Sequence, residues 1–445
     1  MTVLLRRWPP LALFLRLPAV PRLLLLSQLA FNLGFYLVVP FLVVRLTEDL
    51  ALAGGLVGLV LGARTFSQQG LFFLGGGLAD RFGIRPMVLL GCAVRIAGFL
   101  VLGVGTSLPA VLLGAVLTGF AAALFSPAVE SALADQGRRL EEAGVASRVE
   151  VFGLDAVAST VGALVGPALG ALLLPFSFTL TAGLGAGVFL VVLLAHLRWL
   201  PRGLRTEGSG EESVLTGWGH VLRNPAFLAF AACYCTYLLA YNQLYLALPV
   251  ELVRATGGQD ALGWLFVLAA ALVVVAQLPL TARARRAGPR RALPAGFALM
   301  SAAFALVAAV APLPPPAGPW ALAPALGLVV LLHVGQMVAV PVAKDLVPRL
   351  AGERRLGAHF GVLTSVGGAA VLVGSTVAGA LLDRADSPSP AAAVPWLVLA
   401  APPAVSAVAL WLLTRRLEHA GPAARPTAPV PAAVTADLDA PSPDR

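Results

Sequence analysis

Gly76-Gly77-Leu78-Ala79-Asp80-Arg81-Phe82-Gly83-Ile84-Arg85 is a tight cluster of charge wedged between two long apolar stretches. Charge at that density belongs in water, so the decapeptide reads as a short turn joining two membrane-spanning helices. A degraded copy, Thr281-Ala282-Arg283-Ala284-Arg285-Arg286-Ala287-Gly288-Pro289-Arg290, follows 205 positions later, with Gly288 and Arg290 in the places of Gly83 and Arg85. Two related halves are therefore expected, and repeats of this kind put a substrate path at the interface between halves.

Hydrophobic residues make up 58% of the 445 and charged residues only 12%, against roughly 25% charge in soluble domains. Mean hydropathy is +0.87. A soluble fold is excluded. Since about 20 apolar residues cross the hydrocarbon, spans are expected near 22–45, 54–76, 86–105, 109–130, 150–174, 178–198, 226–250, 262–282, 291–311, 320–343, 358–382 and 394–414. The fold expected is an all-α membrane protein of twelve transmembrane helices in two pseudo-symmetric six-helix bundles, residues 22–198 and 225–416. Residues 1–21 lack a small-residue cleavage site and read as a cytoplasmic lead-in. Residues 199–224, with Gly208-Ser209-Gly210-Glu211-Glu212, read as a cytoplasmic linker. Residues 417–445 are rich in Pro and Ala without apolar period and read as a disordered cytoplasmic tail.

Lys and Arg collect in cytoplasmic loops. With both termini inside, all but five of the 31 basic residues fall on that side; Arg45, Arg254 and Arg384 lie outside, and Arg64 and Arg95 lie within spans. This bias accounts for the net charge of +9 without nucleic acid, for which no basic groove interleaved with aromatics is present. The repeat extends beyond the loops: Asn32-x-x-x-Tyr36-x-x-x-Pro40-x-x-x-x-Arg45 is echoed by Tyr241-x-x-x-Tyr245-x-x-x-Pro249-x-x-x-x-Arg254. Cys92, Cys233 and Cys235 fall inside spans, and the five histidines are scattered with no ligand spacing. Neither a metal, a cofactor nor an enzyme is expected.

In span 5, Gly162, Gly166 and Gly170 share one helix face and admit a close neighbour, while Pro167 withholds one helical hydrogen bond. Taken together, the Gly76–Arg85 loop resembles the loop signature of the major facilitator superfamily, and the span 5 pattern resembles its antiporter signature. Arg64-Thr65-Phe66-Ser67-Gln68-Gln69-Gly70, Arg95-Ile96-Ala97-Gly98-Phe99 and Leu124-Phe125-Ser126-Pro127 resemble the MdtH-type multidrug resistance proteins among its twelve-span drug/proton antiporters. Two departures stand out: Ala115 occupies a position, four before Gly119, where many proton antiporters carry Arg, and Ala171 replaces the second Gly of the antiporter signature.

The resemblance implies that Asp80 sits near the start of span 11 and pairs with Arg81 or Arg85, with Asp135 as a further partner, in a cytoplasmic gate that also needs Gly76 and Gly83. It also implies that spans 1, 4, 7 and 10 line a central cavity. That would bring Asn32, Tyr36, Asn242 and Gln336 together with Tyr234, Tyr237, Tyr241 and Tyr245, which recur at helical spacing along span 7. Those rings suit amphipathic or cationic organic molecules; the alternative is interhelical packing. Arg64 and Gln68 share a face of span 2, and Arg64 could hold a carboxylate or an anionic group, whereas Arg95 reads as a packing or snorkelling cation. Asp155, the most internal acid, is either the proton carrier or a structural partner, since an in-span acid is costly and has a partner or a job.

The reading is a secondary transporter of the bacterial-type inner, cytoplasmic membrane, functional as a monomer, that exports small organic molecules by alternating access in exchange for protons. The rivals are a dedicated exporter of one metabolite or natural product, and a non-transporting membrane sensor.

Overall fold

A computed structural model describes residues 9–72, 78, 82–146, 148–173, 175–202, 219, 221–316, 318–351, 356–383 and 389–419. Among them every regular element is helical: α1 (Pro9–Arg16), α2 (Ala19–Val38, prolonged by short 3-10 and π turns to Asp49), α3 (Gly54–Gln69), α4 (Ile84–Val104), α5 (Leu108–Glu142), α6 (Arg148–Leu173), α7 (Phe178–Trp199), α8 (Pro225–Tyr234), α9 (Thr236–Thr256), α10 (Leu262–Ala287), α11 (Pro289–Val310), α12 (Ala323–Leu350), α13 (Leu356–Leu382) and α14 (Ala393–His419). Nine helical stretches among the described residues are long and apolar enough to cross a membrane, and α10 is a tenth if the two parts on either side of its 55° bend count as one. The two other expected spans fall on α3, described over 16 residues, and on α8 with α9, which break at Cys235. The expectation of twelve is thus met by ten at this criterion. The bend in α10 falls at Pro279, whose nitrogen cannot donate to the preceding turn; Gln277 Nε2 bridges it by donating to Thr281 Oγ1 at 2.8 Å.

Residues 420–445 and most of the expected linker lie outside the described residues. Pro9–Arg16 is helical, and Leu13 and Phe14 pack on the core ahead of buried Leu17. Helix α5 overruns its expected end at 130: 35 residues at 1.5 Å per residue reach about 52 Å, well past a hydrocarbon core of about 30 Å.

Within the first half α2 packs on α6 and α7, and α4 on α5 and α7; within the second, α11 packs on α12 and α14. The halves meet along α3 with α13 and α6 with α10. The first seam is built by Gly54, Gly58 and Gly62, four apart, against Gly379, Ser375 and Leu372.

Duplication is visible in backbone detail. Gly83 and Gly288 each precede the helix that follows a charged segment, at φ 88°, ψ 164° and φ 77°, ψ 166°, a region essentially closed to residues with a Cβ; the second charged segment, expected as a loop, is helical to Ala287. Arg45 and Arg254 each reach the chain just past the third helix of their half: Arg45 Nη2 donates to the Gly105 carbonyl and Arg254 Nη1 to the Leu313 carbonyl, both at 3.4 Å. Arg254 is buried in a two-armed pair with Glu251, each arm 2.7 Å. Arg45 pairs with the more exposed Asp49 at 3.0 Å.

Candidate substrate cavity

Three adjoining cavities of about 220, 220 and 310 Å³ lie between the halves and meet at Tyr241. Helix α2 contributes Asn32 and Tyr36, α3 contributes Arg64 and Gln68, and α9 contributes Tyr241, Asn242 and Tyr245 to the first cavity. Tyr237 and Gln336 line the third. Tyr234 does not join them. It is buried among Phe230, Tyr237 and Phe297, because the break at Cys235 interrupts the stripe that an unbroken helix would have presented. The tyrosine expectation thus divides, four of span 7's rings giving three at the cavity and one in the packing.

Polar groups tie the two halves together at this depth. Arg64 Nη1 donates to Gln68 Oε1 at 3.1 Å and Nη2 to Thr65 Oγ1 at 2.8 Å. Thr65 Oγ1 in turn donates to Asn242 Oδ1 at 2.8 Å, across the interface. Arg95 makes no such bonds: Nε and Nη1 are buried without a hydrogen-bond partner. Its guanidinium lies instead 5.3–5.9 Å from the ring centres of Phe35, Phe99, Phe125 and Phe189. Arg64 lies 5.4 Å from Phe35 as well, so one ring faces both cations.

Asp155 on α6 is half-buried. Its Oδ1 has no hydrogen-bond partner; its polar neighbour is Gln28, which lines the first cavity, and Glu130 lies within electrostatic reach. Gly162, Gly166 and Gly170 lay α6 directly on α2: a Cβ at Gly166 would meet Tyr36 Cβ at 2.7 Å, and one at Gly162 would meet Asn32 Cβ at 2.8 Å. The glycine face therefore sets the position of two cavity residues. Pro167 faces the other half, its carbonyl against Gly263 of α10.

Two polar contacts bridge the halves at the ends of the spans near Asp49 and Thr256, beside a cavity of about 770 Å³ that Glu48, Asp49 and Gln259 help line. Gln259 Nε2 donates to Glu48 Oε1 at 3.0 Å, and the Gly54 amide to the Asp383 carboxylate at 3.0 and 3.2 Å. Both contacts join opposite halves.

Residues 24–257 and 232–438 each match the Major Facilitator Superfamily. The chain belongs to the Major Facilitator Superfamily. It is 37% identical over 373 residues, 82% of this chain and 86% of the relative, to an uncharacterized MFS-type transporter of Mycobacterium tuberculosis. It is 32% identical over 380 residues, 84% and 90% of the two chains, to the multidrug resistance protein MdtH of Aeromonas hydrophila. Among solved structures it resembles the nucleoside transporter NupG (TM-score 0.73, 16% identity, 91% and 99% covered) and a peptide transporter POT (TM-score 0.71, 14% identity, 90% and 95% covered); these likenesses show the fold. The chain is a multi-span membrane transporter with the Major Facilitator fold, from a family of transporters rather than enzymes.

Of the expected gate in this superfamily member, Gly76, Asp80 and Arg81 lie outside the described residues. Arg85 Nη2 donates to the Leu197 carbonyl at the end of α7, at 2.6 Å. Asp135 pairs on its own helix with Arg138 and Arg139, at 2.8 and 2.9 Å; the expected partnership of Asp135 with the loop is not among these described contacts.

Several cavity residues escaped sequence reasoning. His333, one helical step from Gln336, lines the second cavity, edge-on to Tyr241 with ring centres 6.1 Å apart. Its i, i+3 spacing to Gln336 was the available signal. Gln28, four before Asn32, was marked in the same way. Thr65 and Phe35 had no such mark, since their roles arise from contacts across helices.

Proposed function

We propose that this protein exports small amphipathic organic molecules in exchange for protons, from a cytoplasmic membrane in which both termini face the cytoplasm. The observation that carries this reading is Asp155: a half-buried carboxylate with an unpartnered oxygen, one residue removed, through Gln28, from a central cavity shared by both halves. An acid so placed is held only where it is paired or used. The likeness to proteins named for multidrug resistance supports an organic substrate. In the proposed cycle a proton from outside neutralises Asp155 and favours return to the inward-facing state; its release inside frees the cavity to carry substrate out. The ends bridged by Glu48–Gln259 and Gly54–Asp383 would be the outer side, and Asp80, Arg81, Gly83, Arg85 and Asp135 would form the cytoplasmic gate. A monomer suffices, since both halves of the cavity belong to one chain.

The test is proton movement in proteoliposomes loaded with a pH dye, on addition of aromatic cations, neutral molecules and anions. Wild type should move protons with at least one class. Asp155→Asn should lose proton movement yet retain substrate exchange at equilibrium. Proton movement surviving in the variant would remove Asp155 from the coupling path.

A further inference from the structure

We propose that the central cavity selects organic anions: aromatic molecules bearing one carboxylate, whose head is bound by Arg64 and Arg95. This deepens the export reading and rests on it for the cavity's role in transport.

Arg64 and Arg95 are 4% and 1% exposed, and both line the first cavity. Among the described residues lining that cavity there is no carboxylate. The only ionisable neighbours of Arg95 among the described residues are Arg64 and Cys92; those of Arg64 include Tyr36, Tyr241 and Tyr245. The acceptors that Arg64 does use, Gln68 Oε1 and Thr65 Oγ1, are neutral, so they satisfy hydrogens without cancelling charge. Three guanidinium nitrogens, Nε of Arg64 with Nε and Nη1 of Arg95, remain buried and unbonded.

Neither topology nor snorkelling explains these two cations. Arginines that orient a membrane protein sit in loops, and arginines that snorkel keep their heads in water; these two heads are enclosed. What two enclosed forks of N–H donors match is a planar oxyanion, which each can hold bidentately. Phe35, facing both guanidinium groups, and Phe31, stacked on Phe125 at 4.2 Å, offer an apolar, aromatic surface beside that charge. The tyrosine hydroxyls of α2 and α9 add further donors. A cation brought into the same space meets two like charges and no carboxylate in the described lining.

The probes are 1-naphthylacetate, its amide and 2-(1-naphthyl)ethylamine, which share a ring system and differ in charge. Binding is measured by equilibrium dialysis on the full chain in nanodiscs. Because hydrogen bonds to charged groups outweigh neutral ones, the carboxylate should bind at least about tenfold tighter than the amide, and the amine weakest. Arg64→Gln and Arg95→Gln should each erode that preference while leaving amide affinity nearly unchanged. Should a Gln variant not fold, Arg64→Lys and Arg95→Lys decide: they keep the charge but lose the fork, and should weaken the carboxylate more than the amide. Amide or amine binding as tightly as the carboxylate, no carboxylate binding, or equal losses for carboxylate and amide in the variants would overturn the inference. The proteoliposome assay separates it from the export reading. Proton movement driven by the amine or amide but not by the carboxylate overturns the anion site and leaves export standing; selective carboxylate binding with no probe moving protons leaves the site standing and removes proton exchange.

Discussion

Arg95 holds a charge that deprotonation cannot relieve, because a guanidinium remains ionised at any physiological pH. Taking such an ion out of water costs several kcal/mol, and each facing ring returns about 0.5–2 kcal/mol. Four phenylalanine rings can therefore offset much of the loss without neutralising the charge. A second cation about 5 Å away would be opposed by about 3 kcal/mol at an effective dielectric constant near 20. Glu251 and Arg254 show the other solution, mutual neutralisation in a pair whose side chains are 0% and 2% exposed. Glu251→Ala, which strands the arginine, should cost about 3–5 kcal/mol in reversible unfolding in micelles. The double change Glu251→Leu with Arg254→Leu should cost much less, since it leaves no buried charge; equal losses would show that the pair contributes little beyond packing. Arg95 was legible in the sequence as a cation inside a span. Its aromatic surroundings were not, because the four rings come from α2, α4, α5 and α7.

Glycine placement decides how closely helices can approach. The spacing of Gly162, Gly166 and Gly170 pointed to a close neighbour, and the structure identifies it as α2. Gly166→Val should push α6 off Tyr36, lowering both transport and thermal stability, whereas Gly153→Ala, on the same helix with nothing within 4 Å of the added Cβ, should change neither. Comparable effects of the two in a melting and uptake assay would refute the packing argument. Between α10 and α11, Gly288→Ala forces a Cβ into a conformation costing about 1–3 kcal/mol, so the melting temperature should fall although no contact is removed. The stripe Gly54-x-x-x-Gly58-x-x-x-Gly62 was equally readable in the sequence, and its spacing alone could have marked α3 as an interface helix. That its partner is α13, from the other half, follows only from the folded chain.

For the molecule as a whole, the halves are pinned at one end and enclose space at the middle. If that pinned end must open during turnover, joining Glu48→Cys to Gln259→Cys with a short thiol-reactive linker, in a chain with Cys92, Cys233 and Cys235 replaced, should stop transport. Ligand binding to the cavity from the opposite side should persist, and undiminished transport after complete cross-linking would show that this end does not gate. Charge movement is a second consequence. Each elementary charge moving through 100 mV contributes about 2.3 kcal/mol. One proton entering against one monoanion leaving moves two charges, so 100 mV should support a gradient on the order of 10³-fold. A neutral substrate would gain only about fiftyfold, and a monovalent cation nothing. Potassium-diffusion potentials imposed on proteoliposomes distinguish the three.

The sequence by itself determined that the chain lies in a membrane, where most of its helices run, that it is duplicated, and that it carries a loop motif of its superfamily. These are properties of local hydropathy, helical period and repeated spacing, which need no knowledge of neighbours. It also singled out Asp155, Arg64 and the tyrosines of α9 as residues too costly or too regular to be incidental. Only the tertiary structure decided that Tyr234 turns into the packing, that Arg254 is neutralised within its own helix, that Thr65 and Asn242 join the halves, and that two arginines share one cavity without an acid in its described lining. The reason is physical: the balance of charge in a cavity is a sum over side chains from several helices, and no window along the chain contains that sum.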